Sequence, residues 1–282
     1  MFNYAKKEYK KLRKSLAILS LVLSLLLLFI INKSTIITLQ KKIMKNIGIF
    51  STKDFRHRIH EKDFVFRDIE SSITSNVVAY EFDHDYKILN EIKFKKDDVI
   101  LDIGANIGMI SIFIAKKNPD IKIYAFEPVN VNFKNFEHNI KANKITSDIK
   151  KFHFGLGEKK ENILIKIPLN SSGAASIYTD RYIQYENNII TENITIEPIK
   201  EILNENNIKK IKLLKIDCEG CEFDVLSSLT KEDFRNIEYF LGEIHCRNND
   251  KNDLKIWNKI LKKMQKNMNK SKINFVINHS CL

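Results

Sequence analysis

The chain has 282 residues, 44% of them hydrophobic, which is enough apolar material for one catalytic domain with a full core. Its 47 lysines and arginines outnumber 35 aspartates and glutamates, giving a formal charge of +12. This charge favours anionic partners such as lipid head groups, nucleic acid or acidic glycans, although a generally basic solvated surface explains it equally well. Four cysteines are too few and too unevenly placed for a disulfide framework, so we expect a reducing compartment.

The N-terminal region contains the most apolar stretch, Ser15 to Ile31, which has 17 residues and no charge. As a helix it would reach about 25 Å, slightly less than a bilayer core. The flank that follows lacks a small-x-small cleavage site, so residues 1–32 are predicted to be a basic N-terminus and a retained transmembrane or membrane-anchor helix. Basic residues on both sides also allow a helix that lies in the membrane interface against lipid.

Residues 33–95 form a lead-in segment in which charges alternate with short apolar runs, without any proline. This pattern predicts helical or irregular structure, with one strand over Asn76–Phe82.

From residue 96 to residue 282, short apolar strands alternate with longer helical segments. The first helices are predicted over Met109–Lys117 and Val131–Ala142, and the last over Asp253–Met268. This rhythm is typical of an α/β fold: a Rossmann-like, mostly parallel, doubly wound sheet with helices on both faces, preceded here by the hydrophobic N-terminal helix. The rhythm is interrupted at about 158–198, where alternating apolar residues and a small-residue turn predict a hairpin-like insertion.

The turn after the first strand of this domain reads DIGANIG, from Asp102 to Gly108. Its glycines Gly104 and Gly108 let the backbone turn tightly and let a ligand approach without meeting a Cβ atom. Asn106 stands where the dinucleotide fingerprint has its second glycine, so a pyrophosphate is disfavoured. A phosphate-free, positively charged cofactor suits a loop that begins with the carboxylate of Asp102.

Glu127 ends the second strand, 25 residues after Asp102. An acidic side chain at this place can accept hydrogen bonds from both ribose hydroxyls of a nucleoside. Because the glycine-containing loop and the acid occur together in this context, they predict a nucleoside cofactor held by Asp102, Gly104, Asn106, Gly108 and Glu127.

A second group of polar residues follows the fourth and fifth strands of the domain, with Asp217 and Glu219 after one and Glu243 and His245 at the other. The carboxyl edge of an open α/β sheet is where ligands bind, so this group is a candidate catalytic cluster. The alternative is structural: Glu219 and Glu222 complement a helix dipole and His245 is simply hydrogen-bonded.

Cys218 and Cys221 make a C-x-x-C pair beside this group. The pair can be read as redox-active or as half of a zinc site, but we expect two small buried side chains because no second C-x-x-C accompanies it.

The motifs VILDIGANIGMIS, AFEPVNVNF, LLKIDCEGCEFDVL and GEIH, in this order between Asp97 and His245, resemble the FkbM-type family of class I methyltransferases. The resemblance implies S-adenosylmethionine as cofactor and O-methylation of a hydroxyl on a sugar, glycolipid or secondary metabolite. Asp217 and His245 are expected to be catalytic, with His245 as general base. We assign no metal site, although a divalent cation held by Asp217, Glu219 and Glu243 is an open alternative.

The expected partners are therefore a hydroxyl-bearing small molecule or glycan and membrane lipid, and no nucleic acid. We expect the catalytic domain on the cytosolic side, where the cofactor is made, although the flanking charges lean weakly towards a cytosolic N-terminus. Two alternatives remain: an RNA methyltransferase, favoured by the basic charge, and a catalytically inactive, membrane-anchored binding protein of the same fold.

Overall fold

The computed structural model describes residues 50–178, 189–247 and 251–281, together with the single residue Thr35. The strands within these ranges are β1 (Thr52–Ile59), β2 (Lys62–Ile69), β3 (Val99–Ile103), β4 (Lys122–Phe126), β5 (Asp148–Phe152), β6 (Gly155–Gly157), β7 (Glu161–Pro168), β8 (Ile189–Pro198), β9 (Ile211–Ile216), β10 (Ile237–Ile244) and β11 (Ile273–Ile277). The helices there are α1 (Thr74–Glu81), α2 (Met109–Lys117), α3 (Asn130–Ala142), α4 (Ile199–Glu205), α5 (Glu222–Ser228), α6 (Lys231–Arg235) and α7 (Lys251–Asn267).

Six of these strands make one sheet in the order β11-β10-β9-β3-β4-β5, and every neighbouring pair is parallel. The chain starts the sheet at β3, builds outward through β4 and β5, and then returns to the other side of β3 with β9. This order is that of the Rossmann fold, and the direction of winding reverses between β3 and β9. The structure thus confirms the predicted α/β fold with a mostly parallel sheet.

Alternate residues of the central strands point to opposite faces of the sheet, so each face has its own apolar core. On one face Ile100 packs in a cluster with Phe113 of α2 and Phe136 of α3. On the other face Leu101 belongs to a cluster that includes Phe223 of α5 and Trp257 of α7. Because helices cover both faces, the strands are buried and only the ends of the sheet remain available for a ligand.

The lead-in segment contains a β-hairpin that the sequence did not predict. Strands β1 and β2 pair antiparallel from Thr52↔Ile69 to Ile59↔Lys62. His60 and Glu61 form the two-residue turn, with φ of 44° and 65°. Such turns usually contain asparagine or glycine, and this hairpin was missed because its turn lacks that signal.

The prediction of a strand over Asn76–Phe82 is wrong, because Thr74–Glu81 form helix α1. The run of β-branched residues favours a strand by propensity alone. Tertiary packing decides otherwise: Ser75 and Phe82, seven residues apart and hence on one side of a helix, are both fully buried.

A smaller three-stranded sheet in the order β6-β8-β7 accompanies the main sheet. Strands β7 and β8 pair antiparallel from Glu161↔Ile196 to Pro168↔Ile189. This hairpin occupies the region in which the sequence predicts an insertion, at about 158–198, and part of that region lies outside the described residues.

The N-terminal membrane helix predicted within residues 1–32 also lies outside the described residues. Within the described ranges, every helix is too short or too polar to cross a membrane.

Candidate active site

The candidate site lies where β3 and β9 end side by side, at the point where the winding of the sheet reverses. Ile103 pairs with Ile216, and the N–H of Asp217 donates to the carbonyl of Ile103 over 3.1 Å. Gly104 has a φ of 74°, and a Cβ atom there would collide with the carbonyl oxygen of Asp217. The glycine therefore allows the two strand-end loops to touch through their backbones.

The loop after β3 continues with Asn106 in a left-handed conformation (φ 52°), and its N–H donates to Glu127 Oε2 over 2.8 Å. Gly104 and Asn106 both line a cavity at this edge of the sheet. Gly108, in contrast, is not among the described cavity-lining residues; it precedes α2, and its Cα packs against the ring of Phe136.

Glu127, at the end of β4, is the acid that the sequence assigns to the cofactor, and it lines the same cavity. Its Oε1 accepts the N–H of Val129 over 2.9 Å, while Oε2 accepts that of Asn106. Burial raises the pKa of Glu127 to about 7, and these backbone hydrogen bonds act against the increase. Asn132 Nδ2 also donates to Oε1, over 3.5 Å, so Oε2 is the oxygen that keeps a second acceptor position for a ligand hydroxyl.

Asp102 is one of the predicted cofactor residues, but it lies inside the sheet with only 1% of its surface exposed. Ser111 Oγ donates to its Oδ2 over 2.6 Å, and Lys215 Nζ lies 3.3 Å from its Oδ1. Lys215 also donates to the carbonyl of Gly104 over 2.7 Å. Asp102 therefore does not line the cavity. It contacts Lys215, and Lys215 in turn binds the backbone of the loop.

The cavity has a volume of about 450 Å³ and extends beyond the predicted residues. One wall comes from β6 and the strands β7 and β8, and a second from residues 172–178. A third comes from the lead-in segment, which contributes Val78 and Tyr86. Sequence analysis did not identify these two residues, because neither belongs to a recognisable motif.

Asp217 follows β9 and faces this cavity, with 25% of its side chain exposed. Burial raises its pKa; nearby Lys215 opposes the shift, and the carboxylate of Glu243 adds to it. Burial and the proximity of Asp217 also raise the pKa of Glu81 on α1, to about 8. Burial is the larger cause of both shifts, and the neighbouring carboxylates add to it, so acidic groups surround Asp217 although the whole chain is basic.

His245 lies behind the cavity wall, and only 2% of its side chain is exposed. Its Nδ1 contacts Glu222 Oε1 at 3.0 Å, and its Nε2 lies 3.2 Å from Glu243 Oε1 and 3.6 Å from Glu219 Oε2. Burial opposes a charge on the ring, but Glu219, Glu222 and Glu243 outweigh it and raise the pKa of His245 well above its ordinary range. The three carboxylates therefore favour the protonated ring, whereas a general base acts from the neutral ring.

Glu222, at the start of α5, fixes the loop between β9 and that helix. Its Oε1 accepts the N–H of Cys218 over 3.0 Å, and its Oε2 accepts the N–H of Gly220 over 2.9 Å. The side chain is fully buried. The E-G-x-E spacing that placed this residue two positions after Gly220 is the sequence signal that could have identified it.

The expectation of reduced, unpaired cysteines is wrong. Cys218 and Cys221 form a disulfide across the two residues between them, and both line the cavity. Cys246, next to His245, forms a second disulfide with Cys281. The second pair is 35 residues apart in sequence and is adjacent only because β11 lies beside β10, so spacing could not reveal it. Oxidised sulfurs also exclude the zinc interpretation of the C-x-x-C pair.

Three described residues that could hold a divalent cation lie close together at this edge of the sheet. Ligand atoms of Asp217, Glu222 and His245 lie within 4.8 Å of one another, a set that shares only Asp217 with the predicted Asp217, Glu219 and Glu243. To bind a cation, His245 would have to lose the proton that the surrounding carboxylates favour.

A family model described as the methyltransferase FkbM domain matches residues 102–270. This range contains both strand-end loops of the candidate site and leaves out β1, β2 and α1.

Three curated relatives are similar to the chain at low identity. Methyltransferase 1 of Beauveria bassiana is 29% identical over 54% of this chain and 66% of the relative. The 31-O-demethyl-FK506 methyltransferase FkbM of Streptomyces tacrolimicus is 24% identical over 55% and 68%. The hexuronic acid methyltransferase AglP of Haloferax volcanii is 24% identical over 54% and 58%. The chain thus spans roughly two thirds or less of their lengths.

The imidazolium of His245 should make stability depend on pH. Because its folded pKa lies above the ordinary value of 6.5, its stabilisation is complete below that pH and is lost as the pH rises towards the folded pKa. The difference in free energy of unfolding between wild type and His245→Gln should therefore decrease by up to about 1.4 kcal/mol per pH unit above pH 6.5. Urea denaturation of both proteins at pH 6, 7.5 and 9 measures this difference in free energy of unfolding.

His279→Gln, at an exposed position, is the matched control. A constant difference across the three pH values would show that folding does not raise the pKa of His245.

Proposed function

This chain belongs to the FkbM methyltransferase domain family, and from that premise we propose that it is an S-adenosylmethionine-dependent O-methyltransferase. The observation that carries the proposal is the arrangement of Gly104, Asn106, Glu127 and Asp217 around one cavity at the end of the sheet. The first three suit a nucleoside cofactor, and the fourth is a carboxylate at the place where an acceptor hydroxyl would lie.

The residues at the cofactor end fit S-adenosylmethionine. Gly104 packs against the Asp217 backbone, where a side chain would collide, and it lines the cavity. Glu127 would accept the ribose hydroxyls. A cofactor with a sulfonium and an amino group also suits the acidic surroundings, since burial and the Glu243 carboxylate raise the pKa of Asp217 and a nearby positive charge would lower it.

The bound cofactor supplies an electrophilic methyl group, which moves from the sulfonium to the acceptor oxygen in an in-line displacement. The protein has to place that oxygen and accept its proton. We assign the second task to Asp217, which faces the cavity, and treat His245 as a positioning residue. His245 acts through Glu222, whose carboxylate holds the backbone of the loop that follows Asp217.

We propose a hydroxyl on a sugar, glycolipid or secondary metabolite as the acceptor. Two relatives support this class, since one is named for an FK506 precursor and the other for a hexuronic acid. The experiment is methyl transfer from labelled S-adenosylmethionine to fractionated cell lipids, glycans and RNA. Label should enter a lipid or glycan fraction in a form that resists alkaline ester hydrolysis. Label found only in the RNA fraction would contradict the proposal.

Attachment to a membrane through residues 1–32 stays a proposal, and so does a cytosolic position of the catalytic domain. The two disulfides argue for an oxidising compartment instead, because such bonds are rare in the cytosol. Protease protection in vesicles of known orientation tests both, since a protected domain in right-side-out vesicles would place it in the cytosol.

Glu127→Gln should weaken binding of S-adenosylmethionine about 10- to 100-fold, because the amide loses the charge and one acceptor oxygen that the ribose hydroxyls would use. Isothermal titration calorimetry measures the dissociation constant. Glu232→Gln, which removes a carboxylate from the surface of α6, is the matched control. Unchanged affinity in Glu127→Gln would remove Glu127 from the cofactor site.

Asp217→Asn should keep cofactor affinity within about threefold and lower turnover at least about 100-fold, the usual contribution of a positioned general base. A single-turnover assay with labelled cofactor and the acceptor fraction found above measures the rate. Wild-type turnover in this variant would show that another group accepts the proton.

A further inference from the structure

Tyr86 is a buried tyrosine that belongs to neither of the motifs assigned to the site. It lies between α1 and a short 3-10 turn at Lys87–Asn90, ahead of the family-matched range of 102–270. Its ring is 4% exposed and packs against Phe82 with a centroid separation of 6.1 Å. The core therefore fixes the ring, and its hydroxyl points towards the end of β9, where Tyr86 lines the cavity.

The hydroxyl of Tyr86 donates to Asp217 Oδ2 over 3.2 Å. Lys215 Nζ lies 3.7 Å from the same oxygen. Among the described residues, no hydrogen-bond donor contacts Asp217 Oδ1. Two groups from different parts of the chain thus engage one carboxylate oxygen, and the other is left for a group within the cavity.

We propose that Tyr86 is a positioning residue for methyl transfer: its hydroxyl orients the Asp217 carboxylate so that Oδ1 faces the acceptor hydroxyl. This inference rests on the proposed function, in which Asp217 accepts the proton. It extends the machinery of the site to a segment that lies outside the family-matched range.

The protonation state of Tyr86 suits this role. Burial and the neighbouring Asp217 carboxylate raise the pKa of the phenol well above 10, so it remains a hydrogen-bond donor over the whole working range. A water molecule could offer the same hydrogen bond, but it would not hold the carboxylate against a fixed ring. The apolar packing of the ring is what gives the contact its direction.

The charged groups around Asp217 determine what happens when the donor is removed. Two basic side chains, Lys215 and His245, lie near Asp217, and acidic side chains outnumber them. The acidic side chains, which come from the strands, α1 and α5, are Glu81, Asp102, Glu222 and Glu243. Without the phenol, the Asp217 carboxylate loses a hydrogen bond that favours its charged form, so its pKa rises further. Since a general base works deprotonated, the acid limb of the pH–rate profile moves to higher pH.

The test compares Tyr86→Phe, which removes one oxygen and keeps the buried ring, with Tyr80→Phe, which makes the same change at a residue 66% exposed on α1. In Tyr86→Phe the acidic transition in the profile of kcat against pH should move up by about one pH unit. Below the midpoint of that transition, kcat should therefore fall about tenfold. The dissociation constant for S-adenosylmethionine should change less than about twofold. Tyr80→Phe should reproduce the wild-type profile.

A purely structural role would lower stability or the amount of active protein without moving the pH profile. An unmoved profile in folded Tyr86→Phe, with Asp217→Asn inactive, overturns this inference alone. Wild-type turnover in Asp217→Asn overturns the proposed base and the inference together. In the double variant Asp217→Asn/Tyr86→Phe, turnover should fall no further than in Asp217→Asn. An additional loss would show that Tyr86 acts independently of Asp217.

Discussion

A buried lysine holds the two halves of the site together. Lys215 is 3% exposed, and its ammonium lies near the carboxylates of Asp102 on β3 and Asp217 after β9. Burial would lower its pKa, but these carboxylates more than offset that effect. Removing one partner from a buried ion pair leaves an uncompensated charge, which costs about 3–5 kcal/mol. This one ammonium therefore links the two strand-end loops through the carboxylates of Asp102 and Asp217 and the carbonyl of Gly104.

The sequence predicted the parts of the molecule in which local pattern and tertiary structure agree. Strand and helix periodicity identified the main sheet, and parallel strands bring Asp102, Glu127 and Asp217 to one edge wherever the intervening helices lie. The prediction failed where the deciding contact is distant in sequence. Helix α1 is set by packing against the core, and the pairing of Cys246 with Cys281 depends on the order of the last two strands.

The candidate site shows a second limit of sequence analysis, since residue type and edge position do not fix a role. His245 and Asp217 both follow strands at the same edge, and both were expected to act on the substrate. Asp217 faces the cavity, whereas His245 is enclosed by Glu219, Glu222 and Glu243. These side-chain directions cannot be read from the sequence, and the net charge of +12 gives no hint of the acidic surroundings.

The contact of Gly104 with the Asp217 backbone has a consequence for how this scaffold can diversify. Because the two loops touch without an intervening side chain, neither can be remodelled without disturbing the other. Variation in the shape of the cavity is then easier at the remaining walls: α1, the segment 172–178 and the β7–β8 hairpin. A lineage could replace those walls while it inherits the two strand-end loops unchanged.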